Sequence, residues 1–262
     1  MLSYKSIKVL TFLTMVFSMI KETQSADIIN EREKHIGFHS FYSPSIIVVS
    51  PQAPQERSPK SVIIKVDEFS DNDLDNELNN MVVPTYSLDL SCREDLTYDR
   101  LRKLAQNPLI IGLDVAETYL DNHGLKIISK LPLQFLDVSN NRFDDEGMEF
   151  MAFFSHLKEL KMKANKVTAE GIKKVTGLNI KILDASCTYL GNDGIKNLIS
   201  CKSLEELEVR ACGLDDKSLN YFLEMSSLRF LDISANKSIS REGILDFMAK
   251  KRESLLIKYD QF

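Results

Sequence analysis

The sequence predicts an α/β solenoid: short strand-and-helix units stacked one on the next. Three observations predict it. A phrase recurs, as LDVSNN at 136–141, LDASCT at 183–188 and LDISAN at 231–236. Its first leucine returns at Leu88, Leu113, Leu136, Leu160, Leu183, Leu207, Leu231 and Leu255 in steps of 23–25 residues, and a fixed period in this range marks a repeat architecture. Each period also holds two rhythms, an alternation by two followed by apolar spacing of three and four, the patterns of a half-buried strand and an amphipathic helix.

Counting from that leucine as position zero, the strand comes first. Positions zero and plus two are apolar, as in Leu113 and Val115, Leu136 and Val138, Leu160 and Met162, Leu207 and Val209, Leu231 and Ile233. Position plus five holds Thr118, Asn141, Asn165, Thr188, Cys212 and Asn236. Small polar groups at one slot of every repeat suit an internal ladder that bonds the turning backbone, since a buried group left unpaired costs about 1–3 kcal/mol. Position plus four holds Cys187 beside Ala164, Ala211 and Ala235, and reads as small apolar filling. Helix starts follow at plus eight with Asp121, Asp144, Thr168 and Asp215, and at Ser240 one place later. Such side chains accept the unpaired N–H groups of a first helical turn. Asp145, Glu146, Glu170 and Asp193 come next, where acids favour the positive end of the helix dipole. Gly124, Gly147, Gly171 and Gly194 recur at plus eleven, with Gly243 after a one-residue insertion, and a missing side chain there lets the helix lie close to the strand layer. The helices themselves carry Ile195, Leu198 and Ile199, then Leu219, Phe222 and Leu223, then Ile244, Phe247 and Met248 on one face. Residues 255–257 read as a last strand.

The units LxxLDVSNN, LxxLKMKAN, LxxLEVRAC and LxxLDISAN resemble the leucine-rich repeat, and the DDEGM-type helix start resembles its ribonuclease-inhibitor-like and cysteine-containing subclasses. The resemblance covers residues 85–262. It departs from the pattern at Arg93, where a ladder residue is missing, and at Ala185, where a small side chain replaces a leucine. It implies a curved solenoid of about seven repeats of about 24 residues plus a terminal strand, with a parallel sheet on the concave face and helices on the convex one.

The residues before the repeats differ. In 1–25, Lys5 and Lys8 precede an apolar run from Val9 to Ile20, with Thr23 and Ser25 after it, the layout of a secretory signal. A helix of that run rises about 18 Å, short of a bilayer core of about 30 Å, so no stable membrane span is expected. Residues 26–84, crowded with Pro44, Pro51, Pro54 and Pro59, read as an arm or linker. Within it SVIIKV at 61–66 has the composition of a strand that caps the open edge of a solenoid. The localisation expected is secreted or periplasmic after cleavage, or cytoplasmic if 1–25 is not a signal.

Catalytic and metal signatures are thin. His35 and His39 stand at i, i+4, but Gly37 lies between them and no third ligand is evident. DNDLDN at 71–76 begins like a calcium loop, yet has Asn76 and Val82 where glycine and glutamate belong. No nucleophile elbow, phosphate loop or dinucleotide fingerprint occurs. Cys92, Cys187, Cys201 and Cys212 form no CxxC pair, and whether they pair with one another is open. No metal, cofactor or catalytic residue is expected. Asn236 heads a formal glycosylation sequon but, as a ladder residue, is expected to be buried and unmodified. A net charge of −5 argues against a nucleic-acid partner.

The expected function is therefore protein–protein recognition by the concave face of an exported solenoid, with the partner unidentified. The alternative is an intracellular ubiquitin-ligase adaptor of the F-box type. Side chains flanking the buried strand positions point to the open side of the sheet. Position plus one reads Asp89, Asp114, Asp137, Lys161, Asp184, Glu208 and Asp232, nearly all acidic. Position minus one adds Phe135, Ile182 and Phe230 as apolar anchors, and plus three adds Lys163 and Arg210. Lys158, Lys161, Lys163 and Lys166 interrupt the acidic stripe with a basic notch. The bland reading of the stripe is that aspartate after the strand leucine is simply common in such repeats.

Overall fold

A computed structural model describes residues 62–65 and 86–260. The signal-like segment, His35, His39, the DNDLDN stretch and most of the proline-rich arm lie outside the described residues. Among the described residues nine parallel strands form one sheet in chain order: β1 (Val62–Lys65), β2 (Tyr86–Asp89), β3 (Ile110–Asp114), β4 (Phe135–Asp137), β5 (Glu159–Lys161), β6 (Ile182–Asp184), β7 (Glu206–Glu208), β8 (Phe230–Asp232) and β9 (Leu256–Lys258). Between β2 and β9 run α1 (Tyr98–Leu104), α2 (Asn122–Ile128), α3 (Asp145–Met148), α4 (Ala169–Ile172), α5 (Gly191–Leu198), α6 (Asp216–Glu224) and α7 (Arg241–Lys250). The architecture is the α/β leucine-rich repeat solenoid that the sequence predicts. Each strand needs a return segment before it can pair in parallel, and the helices supply it.

The register sets leucine beside leucine. Leu88, Leu113, Leu136, Leu160, Leu183, Leu207 and Leu231 each pair with the next, and Ile64 of β1 pairs with Leu88. The parallel ladder thus reaches into the proline-rich segment. At the other end the periodicity misleads. Ile257, not Leu255, pairs with Leu231. Leu255 is the buried residue that enters the strand, a role filled earlier by Leu228, Leu204 and Leu157. A repeat written LxxL has two buried leucine columns three residues apart, so a shortened turn swaps one for the other without changing the pattern.

Both ladders that tie the repeats together are side-chain hydrogen bonds. Asn141 Nδ2 donates to the carbonyls of Val115 (2.8 Å), Val138 (3.0 Å) and Ser139 (3.1 Å), and its Oδ1 accepts from the N–H groups of Thr118 (3.2 Å) and Leu120 (2.7 Å). Asn236 repeats this with Val209, Ile233, Cys212 and Leu214. Its amide is thus buried and occupied. Thr188 and Cys212 both donate to the Ala185 carbonyl, at 2.6 and 3.2 Å.

The second ladder joins the helix starts. Asn122 bonds Asp144, Asp145 accepts from the N–H and hydroxyl of Thr168 (2.8 and 2.5 Å), Asn192 bonds Asp215, and Asp216 accepts from Ser240. This corrects the reading of the plus-eleven glycines. A Cβ at Gly171 would stand 2.2 Å from Asp145 Oδ1, at Gly243 2.4 Å from Asp216 Oδ1 and at Gly147 2.5 Å from Asn122 Oδ1. The space holds the preceding repeat's carboxylate or amide, not the strand layer; at Gly124 and Gly194 it holds Leu120 and Leu190. Asp145, read as a partner of its own helix dipole, mainly serves the next cap.

Cys187 is also placed differently. Cys92, Glu117, Asn140, Ala164, Cys187, Ala211 and Ala235, all at plus four, have φ between 51° and 60°, or 61° at Ala235. The slot is a left-handed turn, and Cys187 is exposed rather than packed. The small residues there lie on the surface and fill no void.

Candidate functional site

Strand alternation leaves two unbroken rows on the face of the sheet turned from the core. Parallel pairing sets Gly112, Phe135, Glu159, Ile182, Glu206, Phe230 and Leu256 side by side at minus one. Phe135, Ile182 and Phe230 are half-buried and separated by glutamates, so the apolar groups recur every second strand, about 10 Å apart. Beside them runs the plus-one row, Asp89, Asp114, Asp137, Lys161, Asp184, Glu208, Asp232 and Lys258. Glu159, Glu206 and Lys258 complete these rows and were not singled out from the sequence, although the same spacing points to them.

The acidic row has a structural task. Asp89, Asp114, Asp137, Asp184 and Asp232 each use Oδ1 to accept the backbone N–H two residues on, at 2.9–3.1 Å, closing the turn that leaves the strand. Short polar side chains make this bond readily, which explains their recurrence. Asp232 presents no carboxylate to a partner. It is 1% exposed, bonded by the Ser234 hydroxyl and paired with Lys258 at 3.0 Å. Arg210, by contrast, is exposed, with its Nε 4.0 Å from Asp232. Lys161 lies 3.5 Å from Glu159 and 5.3 Å from the Phe135 ring centroid, so its charge is shared between an acid and an aromatic face. Lys163 is half-buried and Lys166 exposed.

Burial and the like charges of Asp137 and Asp89 push the Asp114 carboxyl up to about 6, against the pull of the Ala116 N–H. Glu208 is raised by burial and by Asp184 and Asp232. Among the thiols, burial pushes Cys201 up to about 11 and raises Cys212, while Cys92 is raised by burial and by Glu117. These three cysteines hold their protons at neutral pH, the reverse of a nucleophile's setting. Among the described residues no cluster of three or more His, Cys, Asp or Glu is arranged to hold a metal ion, and no helix is long and apolar enough to cross a membrane.

Outside the sheet, the loops after the strands carry Tyr119 (50% exposed) and Tyr189 (71% exposed) at position plus six, with Arg142 and Lys166 in the repeats between. The Arg142 guanidinium sits 4.2 Å from the Tyr119 ring centroid.

A family model described as a leucine-rich repeat matches residues 131–152 and 155–175. Protein NLRC5 of Ictalurus punctatus is 30% identical in an alignment of 162 positions that covers 55% of this chain and 9% of that relative. This chain therefore spans less than a tenth of the relative's length. Among solved structures, an internalin (inlF) from Listeria monocytogenes is similar over 68% of this chain and 53% of its own, with 16% identity and a TM-score of 0.46. A TLR13-ssRNA13 complex is similar over 60% and 27%, with 18% identity and a TM-score of 0.41.

Proposed function

We propose that this chain, a leucine-rich repeat protein, is a non-enzymatic recognition module that holds a protein partner against the open face of its sheet. The observation that carries the reading is the minus-one row, in which Phe135, Ile182 and Phe230 alternate with Glu159 and Glu206 across five adjacent strands. None of the three apolar side chains is spent on the core, and burying one against a partner contributes roughly 1.5–3 kcal/mol. The partner face that fits has apolar knobs about 10 Å apart with basic groups between them, matching the two glutamates and the unburied acids of the next row.

The proposal extends to export. The basic, apolar and small-residue order of 1–25 supports a cleaved signal and a secreted or periplasmic protein. Amino-terminal sequencing of the mature protein tests this part, and an intact residue 1 overturns it.

The binding reading is tested with Phe135→Ala, Ile182→Ala and Phe230→Ala combined. These side chains make no hydrogen bonds in the turns, unlike the aspartates, so the variant keeps its fold, as circular dichroism will verify. Cross-linked capture from the native source is expected to recover a partner with wild type and to lose it at least tenfold with the variant. Equal recovery moves the site off this face.

A further inference from the structure

A second surface runs along the loops that leave the strands. Position plus six reads Tyr119, Arg142, Lys166, Tyr189, Gly213 and Lys237, and every one of these residues is exposed. Position plus three, alongside, reads Ala116, Ser139, Lys163, Ser186, Arg210 and Ser234. From the Leu113 repeat to the Leu231 repeat neither row holds an acid, in a chain whose net charge is −5; Glu94 takes the plus-six place of the Leu88 repeat and Asp260 the plus-three place after Ile257. Between them lies the left-handed plus-four slot, where Ala164, Cys187 and Ala211 offer little bulk and Glu117, beside Tyr119, accepts from Asn140 Nδ2 at 3.3 Å.

The plus-six residues are held in line by the backbone. The N–H of Arg142 donates to the carbonyl of Leu120 (2.9 Å), that of Lys166 to Phe143 (3.2 Å) and that of Tyr189 to Val167 (2.9 Å), each reaching into the preceding repeat. Tyr119 is held at φ 61°, a left-handed conformation unusual for a bulky side chain, with its ring against Arg142. Two exposed tyrosines thus bracket two cations, three repeats apart. That is roughly 15 Å at about 4.8 Å per strand, the reach of four or five extended residues at about 3.3 Å each.

We infer that this loop row, Tyr119, Arg142, Lys166 and Tyr189 with Lys163 and Arg210 beside it, docks an acidic extended segment of a protein partner. The inference rests on the recognition reading and adds the chemistry of one contact. Cations on repeats about 4.8 Å apart have side chains long enough to reach carboxylates about 6.6 Å apart on one face of an extended chain, and tyrosine supplies a flat apolar surface with a hydroxyl. A nucleic-acid strand fits less well, because its denser charge meets the net negative field of the whole molecule and the aspartates one strand position inward.

The test uses the full chain and a fluorescein-labelled peptide of about ten residues alternating glutamate and phenylalanine, read by fluorescence anisotropy. A lysine–phenylalanine peptide and an oligothymidylate of similar length are the comparison probes. The acidic peptide is expected to bind in a salt-sensitive way and the lysine peptide not to bind. Arg142→Glu with Lys166→Glu, and separately Tyr119→Ala with Tyr189→Ala, should each weaken the acidic peptide at least tenfold, while the triple variant of the sheet face leaves it unchanged. Absence of acidic-peptide binding, or binding as tight as wild type in either pair of variants, overturns the inference. Preference for oligothymidylate that the same variants abolish assigns the row to single-stranded nucleic acid and overturns it too. Loss of peptide binding in the sheet-face variant alone would leave the recognition reading standing and remove this row from it.

Discussion

At the scale of single residues, the molecule separates side chains that look alike in sequence. Asp114 and Asp232 occupy one row, yet only Asp232 has a cation within ion-pair distance. Burial and its acidic neighbours raise the folded-state pKa of Asp114 to about 6, above the value of an unfolded aspartate near 4. The folded state therefore binds this proton more tightly, and the ionised carboxylate works against folding. Stability from this group is present at acid pH and is lost as pH rises through the window from about 4 to about 6. Asp114→Asn keeps an acceptor for the Ala116 N–H and removes the charge. It is expected to stabilise the protein by about 1–2 kcal/mol at pH 7.5 and by little at pH 4, in urea unfolding at the two pH values. Lys258→Ala acts in the opposite direction. It leaves the buried Asp232 carboxylate without its nearest cation, and a loss of about 2–3 kcal/mol with faster amide exchange in β9 is expected. Unchanged exchange in β9 would mean that Arg210 or water replaces the lysine.

At the scale of elements, stability sits in the joints between repeats. Asn141→Ala removes three donated and three accepted bonds at one buried position and should cost about 3 kcal/mol in denaturant unfolding. Gly171→Ala is a sharper test, because helix propensity predicts the wrong sign. Alanine is the better helix former by about 1 kcal/mol, yet its methyl group would meet Asp145 Oδ1 at 2.2 Å. A destabilisation of about 1–2 kcal/mol is expected, and less than the sum of the single effects when Asp145→Ala is combined with it. Additive losses would mean that the glycine and the aspartate are unconnected. α3 and α4 are only four residues long, each continuing into a 3-10 turn, so these repeats depend on such joints rather than on helix length.

At the scale of the whole molecule, one sheet carries the design. A solenoid sums nearest-neighbour contacts, so a lesion in the Asn141 ladder should open the adjoining repeats before distant ones. Hydrogen exchange of Asn141→Ala is expected to show protection lost first around β3 to β5 and kept in β7 and β8. A uniform loss would show a single cooperative unit instead. The same arrangement sets two kinds of surface side by side. The open sheet face presents alternating apolar and acidic groups, and the loops present cations and tyrosines. The two sets of variants proposed for them share no residue, so their effects on binding can be measured separately.

What the sequence by itself determined was the repeat and its columns, except at the last strand, where the spacing pointed to Leu255 and Ile257 takes the place. A period near 24 with an internal switch from two to three-and-four is enough for parallel strands joined by helices. The slot occupied by Asn141 and Asn236 is legible because a ladder residue must recur in each repeat. The helix caps at Asp121, Asp144, Thr168, Asp215 and Ser240 are legible because capping is local chemistry, and each accepts an N–H of its own first turn. What only the tertiary structure decided was anything set between repeats. The room at Gly171 belongs to an aspartate 26 residues earlier, and Cys187 is exposed because its backbone turns left-handed. Asp232 is buried because Lys258 arrives from the next strand, while at Asp114 the charges of Asp137 and Asp89 outweigh that of Lys161. Periodicity assigns each residue a face and a column. It cannot say which neighbour in the next column arrives within bonding distance, because that distance is fixed by the stacking of the units and not by the pattern inside any one of them.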